Sequence, residues 1–188
     1  MEENSRRAVV TVGHTGRKKR DMILFVCISA GIALFDQVTK MIARNTLSSG
    51  DRILIPGVLR LMLVQNTGAA FGSFSGRTAA LAAFTVALMA LCAWAYWRTA
   101  GRTGVRVLKV TLVMIFAGGL GNFIDRAFLG SVTDFIFFET IDFPVFNVAD
   151  CFVTVGALTL LISAFTVYRE KEMRELLGFP KKREAEED

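Results

Sequence analysis

Gly118-Gly119-Leu120-Gly121-Asn122-Phe123-Ile124-Asp125-Arg126 closes an uncharged run that begins at Val110, and residues 105–108 extend that run behind Lys109. A run of this kind supplies roughly 20 residues, the length of helix that crosses about 30 Å of hydrocarbon. Three others match it. Residues 22–35 are uncharged and continue past Asp36 towards Ala43, residues 78–97 are uncharged throughout, and residues 148–168 carry only Asp150 before the charged tail. The expectation is an all-α membrane protein with four transmembrane helices. The second run has no polar face to turn to water, which excludes a soluble helical bundle. The chain has 188 residues, 53% of them hydrophobic, and a mean hydropathy of +0.46; its length suits one domain.

Charge fixes the expected orientation. Four spans bring both termini and the middle loop to one side. That side holds Arg6, Arg7, Arg17, Lys18, Lys19 and Arg20, then Arg98, Arg102, Arg106 and Lys109, then Arg169, Lys171, Arg174, Lys181, Lys182 and Arg183. The other side holds only Lys40, Arg44, Arg52, Arg60, Arg77 and Arg126. Basic loops stay in the cytoplasm, so the N and C termini are expected there. Residues 1–20 read as a basic, disordered cytoplasmic tail, residues 21–170 as the four-helix domain, and residues 171–188 as a charged cytoplasmic tail. The net charge of +5 comes from basic segments flanking spans, a topology signal and not a nucleic-acid site. No small-residue cleavage site follows the first apolar run, which therefore reads as a retained anchor.

Residues 44–77 form the first outer loop. Gly50-Asp51 and Pro56-Gly57 mark turns, and residues 53–55 and 58–64 are short apolar runs with strand character. The stretch Asn66-Thr67-Gly68-Ala69-Ala70-Phe71-Gly72 combines an amide with small residues, and suits either a site or a packing surface. The second helix ends in Trp94, Tyr96 and Trp97, as an aromatic belt does. Asn122, Asp125 and Arg126 follow one another on a helix face at the outer end of the third helix. Gly118, Gly119 and Gly121 allow a neighbour close approach there. Asp134 lies in the second outer loop. Pro144 biases Phe143 away from helix, so the fourth helix is expected to start near Phe146 or Asn147.

The polar residues of the spans share one depth and one side: Asp36, Asn122, Asp125, Asn147 and Asp150 at outer helix ends, with Asn66 and Asp134 in outer loops. Ionisable residues in spans face the bundle interior and mark function. Asp36 and Lys40, four apart, share a face; they either close the helix as an ion pair or leave Lys40 to orient a carboxylate or substrate. The only histidine is His14, in the tail. That removes a Ser-His-Asp or Cys-His nucleophile and a His-ligated zinc. Cys27, Cys92 and Cys151 fall inside spans, read as buried, and suggest no disulfide framework. Carboxylates remain. Two that face each other can share one proton; the ionised member then takes a proton from water while the neutral one polarises a carbonyl. Such a pair hydrolyses a peptide bond with no metal or cofactor. A transporter would call for broken helices and an internal repeat, neither visible; in a scaffold, Asp150 would be an ordinary first-turn acid.

Five stretches in order carry a resemblance: Asp36-Gln37-Val38-Thr39-Lys40, Asn66-Thr67-Gly68-Ala69-Ala70-Phe71, Gly119-Leu120-Gly121-Asn122-Phe123-Ile124-Asp125-Arg126, Val132-Thr133-Asp134-Phe135 and Phe146-Asn147-Val148-Ala149-Asp150. Together with four spans, over residues 22–170, they resemble bacterial lipoprotein signal peptidase (signal peptidase II). The resemblance implies a membrane aspartyl endopeptidase of the bacterial inner membrane, its site on the extracytoplasmic side. Its substrate would be a prolipoprotein whose cysteine already carries diacylglycerol, cut just before that cysteine. By motif position the catalytic pair would be Asp134 and Asp150. Asn66, Asn122, Arg126 and Asn147 would line the site, with Asp36, Lys40, Asp125, Gly118 and Gly121 in support. The resemblance also implies a small outer β-sheet or cradle, no metal and no cofactor, a monomer among membrane lipids, and inhibition by globomycin-type antibiotics.

Overall fold

The computed structural model describes residues 15–68 and 78–166. The tail up to residue 14, residues 69–72 of the Asn66 motif and the tail at 171–188 lie outside the described residues. In order come α1 (Thr15–Thr46), β1 (Arg52–Ile55), β2 (Leu59–Asn66), α2 (Thr78–Thr99), α3 (Arg106–Leu129), β3 (Val132–Phe138), one 3-10 turn (Glu139–Ile141) and α4 (Val148–Thr166). Among the described residues, three helices, α1, α2 and α3, are long and apolar enough to cross a membrane. α4 is apolar but shorter over its described length.

α1 does not end at Asp36–Lys40 as the sequence suggested. Asp36 and Lys40 are both fully buried and bonded at 2.9 Å, so their charges are met without interrupting the backbone. The helix continues to Thr46 and stops before Ser48-Ser49-Gly50, where Gly50 takes φ 140°. Its last turns bring Ala43 and Leu47 onto Phe135, a small core beneath the sheet that Leu61, Leu63, Ile136 and Val148 extend.

At the opposite end of the bundle, Phe25, Cys92, Ala95, Tyr96, Leu108 and Leu112 form the larger core. Tyr96 is therefore not a belt residue. Its ring packs 4.5 Å from Phe25 and its hydroxyl donates to the Asp21 carbonyl at 3.0 Å, because a buried phenol needs an acceptor. Trp94 and Trp97 are exposed, and the Lys18 ammonium lies 4.0 Å from the Trp97 ring centre. Of the cysteines, only Cys92 is buried; Cys27 and Cys151 are exposed, so the expectation of three buried thiols fails for two.

α3 is the central helix, packed against α1, α2 and α4. A Cβ at Gly118 would meet the Ala149 carbonyl oxygen at 2.5 Å, and one at Gly121 would meet Asp36 Oδ2 at 2.5 Å. The close approach expected at both is present. α3 ends at Gly130, whose φ of 73° and N–H bond to the Arg126 carbonyl turn the chain directly into β3.

The sheet is antiparallel with order β1-β2-β3. Pro56-Gly57 makes the hairpin turn; Gly57 takes φ 70° and the Val58 N–H reaches the Ile55 carbonyl at 3.0 Å, as a type II turn requires. Asp134 pairs with Val64, and Asn66 with Val132. Both site residues thus stand on strands, where the sequence reading put loops. The physical signal was present in Val132-Thr133-Asp134-Phe135-Ile136-Phe137-Phe138, rich in β-branched and aromatic residues.

Candidate active site

Four carboxylates, Asp36, Asp125 and Asp134 buried and Asp150 half-buried, converge where α1, α3, β3 and α4 meet. They divide into two kinds. Asp36 and Asp125 are ion-paired to one ammonium: Lys40 Nζ lies 2.9 Å from Asp36 Oδ2 and 3.5 Å from Asp125 Oδ2. Gln37 Nε2 donates to Asp36 Oδ2 at 3.2 Å and to Asp125 Oδ1 at 3.0 Å. Asp36 Oδ1 accepts the Ala149 N–H at 2.9 Å, and Asp125 Oδ2 the Thr133 N–H at 2.8 Å. This network joins α1, α3, the start of β3 and the start of α4.

Asp134 and Asp150 are met by amides. Asn66 Nδ2 donates to Asp134 Oδ2 at 2.9 Å and Asn147 Nδ2 to Asp134 Oδ1 at 2.6 Å. Asn122 Nδ2 donates to Asp150 Oδ1 at 2.7 Å, and the Asn147 N–H to Asp150 Oδ2 at 3.1 Å. Asn147 is the residue before α4, and its Oδ1 accepts the Asp150 N–H at 3.0 Å. The pair is a capping box with Asp in the third position, which fixes Asp150 to the helix it begins. Burial pushes the Asp134 carboxyl up to about 6; the Asn66 and Asn147 amides and Lys40 work against this and the Asp150 charge adds to it.

Both carboxylates line a cavity of about 810 Å³ together with Asn66, Asn122, Arg126 and apolar residues including Val132, Phe143, Phe146 and Val155. Arg126 donates to the Gly68 carbonyl at 3.2 Å, just after β2. Asp125 shares Lys40 of α1 with Asn122, as their spacing of three suggested, but unlike Asn122 and Arg126 it does not line the cavity. Every residue singled out in the sequence is brought to this junction: Asp36 and Lys40 on α1, Asn66 ending β2, Gly118, Gly121, Asn122, Asp125 and Arg126 on α3, Asp134 on β3, Asn147 and Asp150 opening α4. Gln37, Arg44 and Thr133 were missed as members. Arg44 donates to Thr133 Oγ1 at 2.9 Å, and its place four residues after Lys40 was a readable signal. Gln37 had none, since a residue next to Asp36 does not share its helix face.

The model of the family described as signal peptidase (SPase) II matches residues 28–166. The chain belongs to the signal peptidase II family. A lipoprotein signal peptidase of Staphylococcus aureus (strain MRSA252) is 34% identical over 154 residues, covering 80% of this chain and 93% of its own; that of strain N315 matches to the same extent. Among solved structures, a bacterial membrane enzyme determined by the in meso method at 2.3 Å resolution is 32% identical with a TM-score of 0.69, covering 79% of this chain and 93% of its own. A second, at 1.9 Å, gives 0.67 at 32% identity over 76% of this chain. As a signal peptidase II family member the chain is a membrane protease, and the junction just described lies inside the matched region.

Proposed function

We propose that the protein is an aspartyl endopeptidase that removes the signal peptide from prolipoproteins, with Asp134 and Asp150 as its catalytic residues. The observation that carries this is the division of the four carboxylates at the junction. Asp36 and Asp125 share the Lys40 ammonium; Asp134 and Asp150 receive only neutral amide donors within hydrogen-bond reach and face the cavity. Two such groups hold one proton between them more readily than two charges. The ionised carboxylate draws a proton from water, the water attacks the scissile carbonyl, and the protonated carboxyl supports the developing oxyanion and returns the proton to the leaving amine. The raised Asp134 carboxyl suits the proton-bearing role. Asn66, Asn122, Asn147 and Arg126 bind and orient, while Asp36, Lys40, Asp125, Gly118 and Gly121 hold the helices in place.

The substrate is the diacylglyceryl-modified precursor, cut before the lipidated cysteine. The curated relatives are lipoprotein signal peptidases, and the cavity joins carboxylates to an apolar lining. Residues 21–170 form one four-span domain in the bacterial inner membrane, monomeric, between cytoplasmic tails, with the site on the extracytoplasmic side. The excess of Arg and Lys on the tails and the α2–α3 loop supports that orientation. A globomycin-type antibiotic occupies the same cavity.

The test is cleavage of a lipidated reporter precursor by purified protein. Asp134→Asn and Asp150→Asn should each lower kcat at least about 10³-fold while the protein still folds and inserts, as loss of a reacting group does. Substantial turnover by either variant removes that residue from the chemistry.

A further inference from the structure

A carboxamide has two unlike ends, an oxygen that accepts and a nitrogen that donates, and its role depends on which end faces which neighbour. Three asparagines serve Asp134 and Asp150, and each has its oxygen end held by a group that can only donate. Asn66 Oδ1 accepts the Gly68 N–H at 2.9 Å. Asn147 Oδ1 accepts the Asp150 N–H at 3.0 Å. Asn122 Oδ1 accepts Lys40 Nζ at 2.8 Å, and more weakly Asn147 Nδ2 at 3.2 Å. The first two locks are backbone groups. The third is a side chain, and an ammonium has no acceptor to offer, so it permits only one orientation of the amide.

Lys40 spans more than its ion pairs require. Asp36 and Asp125 each have two further donors, from Gln37 and a backbone N–H. Its bond to Asn122 is the shortest of its three contacts. The consequence falls on Asp150. With the Asn122 oxygen turned to Lys40, the Asn122 nitrogen points at Asp150 Oδ1 at 2.7 Å. That oxygen must then accept, and it cannot direct a proton along that line.

We propose that Lys40 is a positioning residue for peptide-bond cleavage, acting through Asn122: by fixing the Asn122 amide it keeps Asp150 an acceptor and leaves the shared proton to Asp134. This rests on the reading of Asp134 and Asp150 as the reacting pair. The charged and titratable groups that act on Asp150 are Lys40 and Asp36 from α1, Arg126 from α3, Asp134 from β3 and Cys151 from α4 itself. Removing Lys40 strips a cation from this set and frees Asn122 to present its oxygen to Asp150. Two acceptors then face each other unless Asp150 takes up a proton. The acid limb of the rate profile must move to higher pH.

The experiment is a double-mutant cycle on lipidated reporter cleavage in nanodiscs, with Lys40→Met, Asn122→Ala and the pair together. Lys40→Met should lower kcat about 10- to 100-fold, the scale of a misplaced reacting group, with KM within about twofold and the acid limb of kcat raised by about one unit or more. The double variant should be no slower than the worse single one, because Lys40 has nothing left to orient. Lys40→Gln, which keeps a donor for Asn122 without the charge, should recover part of kcat. Multiplicative losses in the double variant, or an unshifted pH profile with loss only of folded protein, would overturn the proposal. Should Lys40→Met fail to fold, Asp36→Asn with Lys40→Met removes the nearer of the two carboxylates left without their cation and carries the same cycle. Asp150→Asn is measured alongside: its retained activity would sink the catalytic assignment, whereas additivity of the cycle sinks only the role of Lys40.

Discussion

Asp125 and Asp134 stand on consecutive elements, both nearly fully buried, and meet the cost of desolvation differently. Asp125 takes an ammonium and a backbone N–H. Asp134 is hydrogen-bonded only by neutral amides and burial outweighs the more distant Lys40, so its carboxyl rises to about 6. A folded-state value above the ordinary 3.8 means that the native protein holds this proton where the unfolded chain has lost it. Stability from this group is complete below about pH 4 and is lost as pH rises through about 6. Asp134→Asn removes that dependence. Thermal unfolding of wild type and Asp134→Asn in one detergent, from pH 4.5 to 7.5, should show wild type losing ground relative to the variant as pH rises. A constant difference would mean that Asp134 is not buried as a shifted acid. At this scale the sequence was readable wherever a polar residue sat against an apolar run, since such a residue is costly there. It was not readable for Gln37, whose bonds to the Gly121 carbonyl and to Asp125 depend on where a different helix carries those groups.

At the level of elements, α3 and α4 approach through glycine, and the approach sets where Asp150 stands. A methyl group at Gly118 would fall 2.5 Å from the Ala149 carbonyl oxygen and 2.7 Å from Val153 Cγ2. Ala149 is backbone in the first turn of α4, adjacent to Asp150, and cannot give way without moving it. A methyl at Gly119 would meet the Met89 Cγ at 3.2 Å, the flexible part of an adaptable side chain. Gly118→Ala should therefore destabilise the protein by about 1–3 kcal/mol, the usual cost of overpacking, and lower kcat. Gly119→Ala should be near neutral or slightly stabilising, because alanine favours helix by up to about 1 kcal/mol over glycine. Melting temperature and turnover of the two variants measured together decide it; equal effects would remove the α3–α4 approach as the cause. The close approach at these glycines was legible in sequence, as were the start of α4 and the hairpin at Pro56-Gly57. β3 was not legible, because a charged Asp134 within the run reads as an exposed loop until its pairing with β2, distant in sequence, is known. The end of α1 was misjudged because a charged pair looks like a terminus until its partners on α3 and α4 are known.

The whole molecule turns apolar side chains outward along its helices, with Phe128 82%, Phe84 68% and Leu34 66% exposed, as a protein solvated by hydrocarbon does. The outer part carries the same character: Ile53, Leu54 and Ile55 on β1, and Ile141 and Phe143 after β3, are all exposed, and Phe143 also lines the cavity. On the proposed reading, a substrate anchored by two acyl chains keeps those chains in lipid while its peptide enters between Asp134 and Asp150. Each buried methylene contributes about 0.8 kcal/mol, but most of that holds the substrate in the bilayer whether it is bound or free. What remains for the enzyme is geometry. The anchor fixes the depth of the scissile bond against carboxylates that are themselves held by α4 and β3, and correct placement of reacting atoms acts on the rate of the bound complex. The unlipidated precursor should therefore be cleaved far more slowly even at saturation, in addition to binding less well. Matched peptides with and without the diacylglyceryl group, turned over in the same nanodiscs, separate the two effects: a fall in kcat supports positioning, and equal maximal rates with a raised KM would show that the lipid does no more than concentrate the substrate.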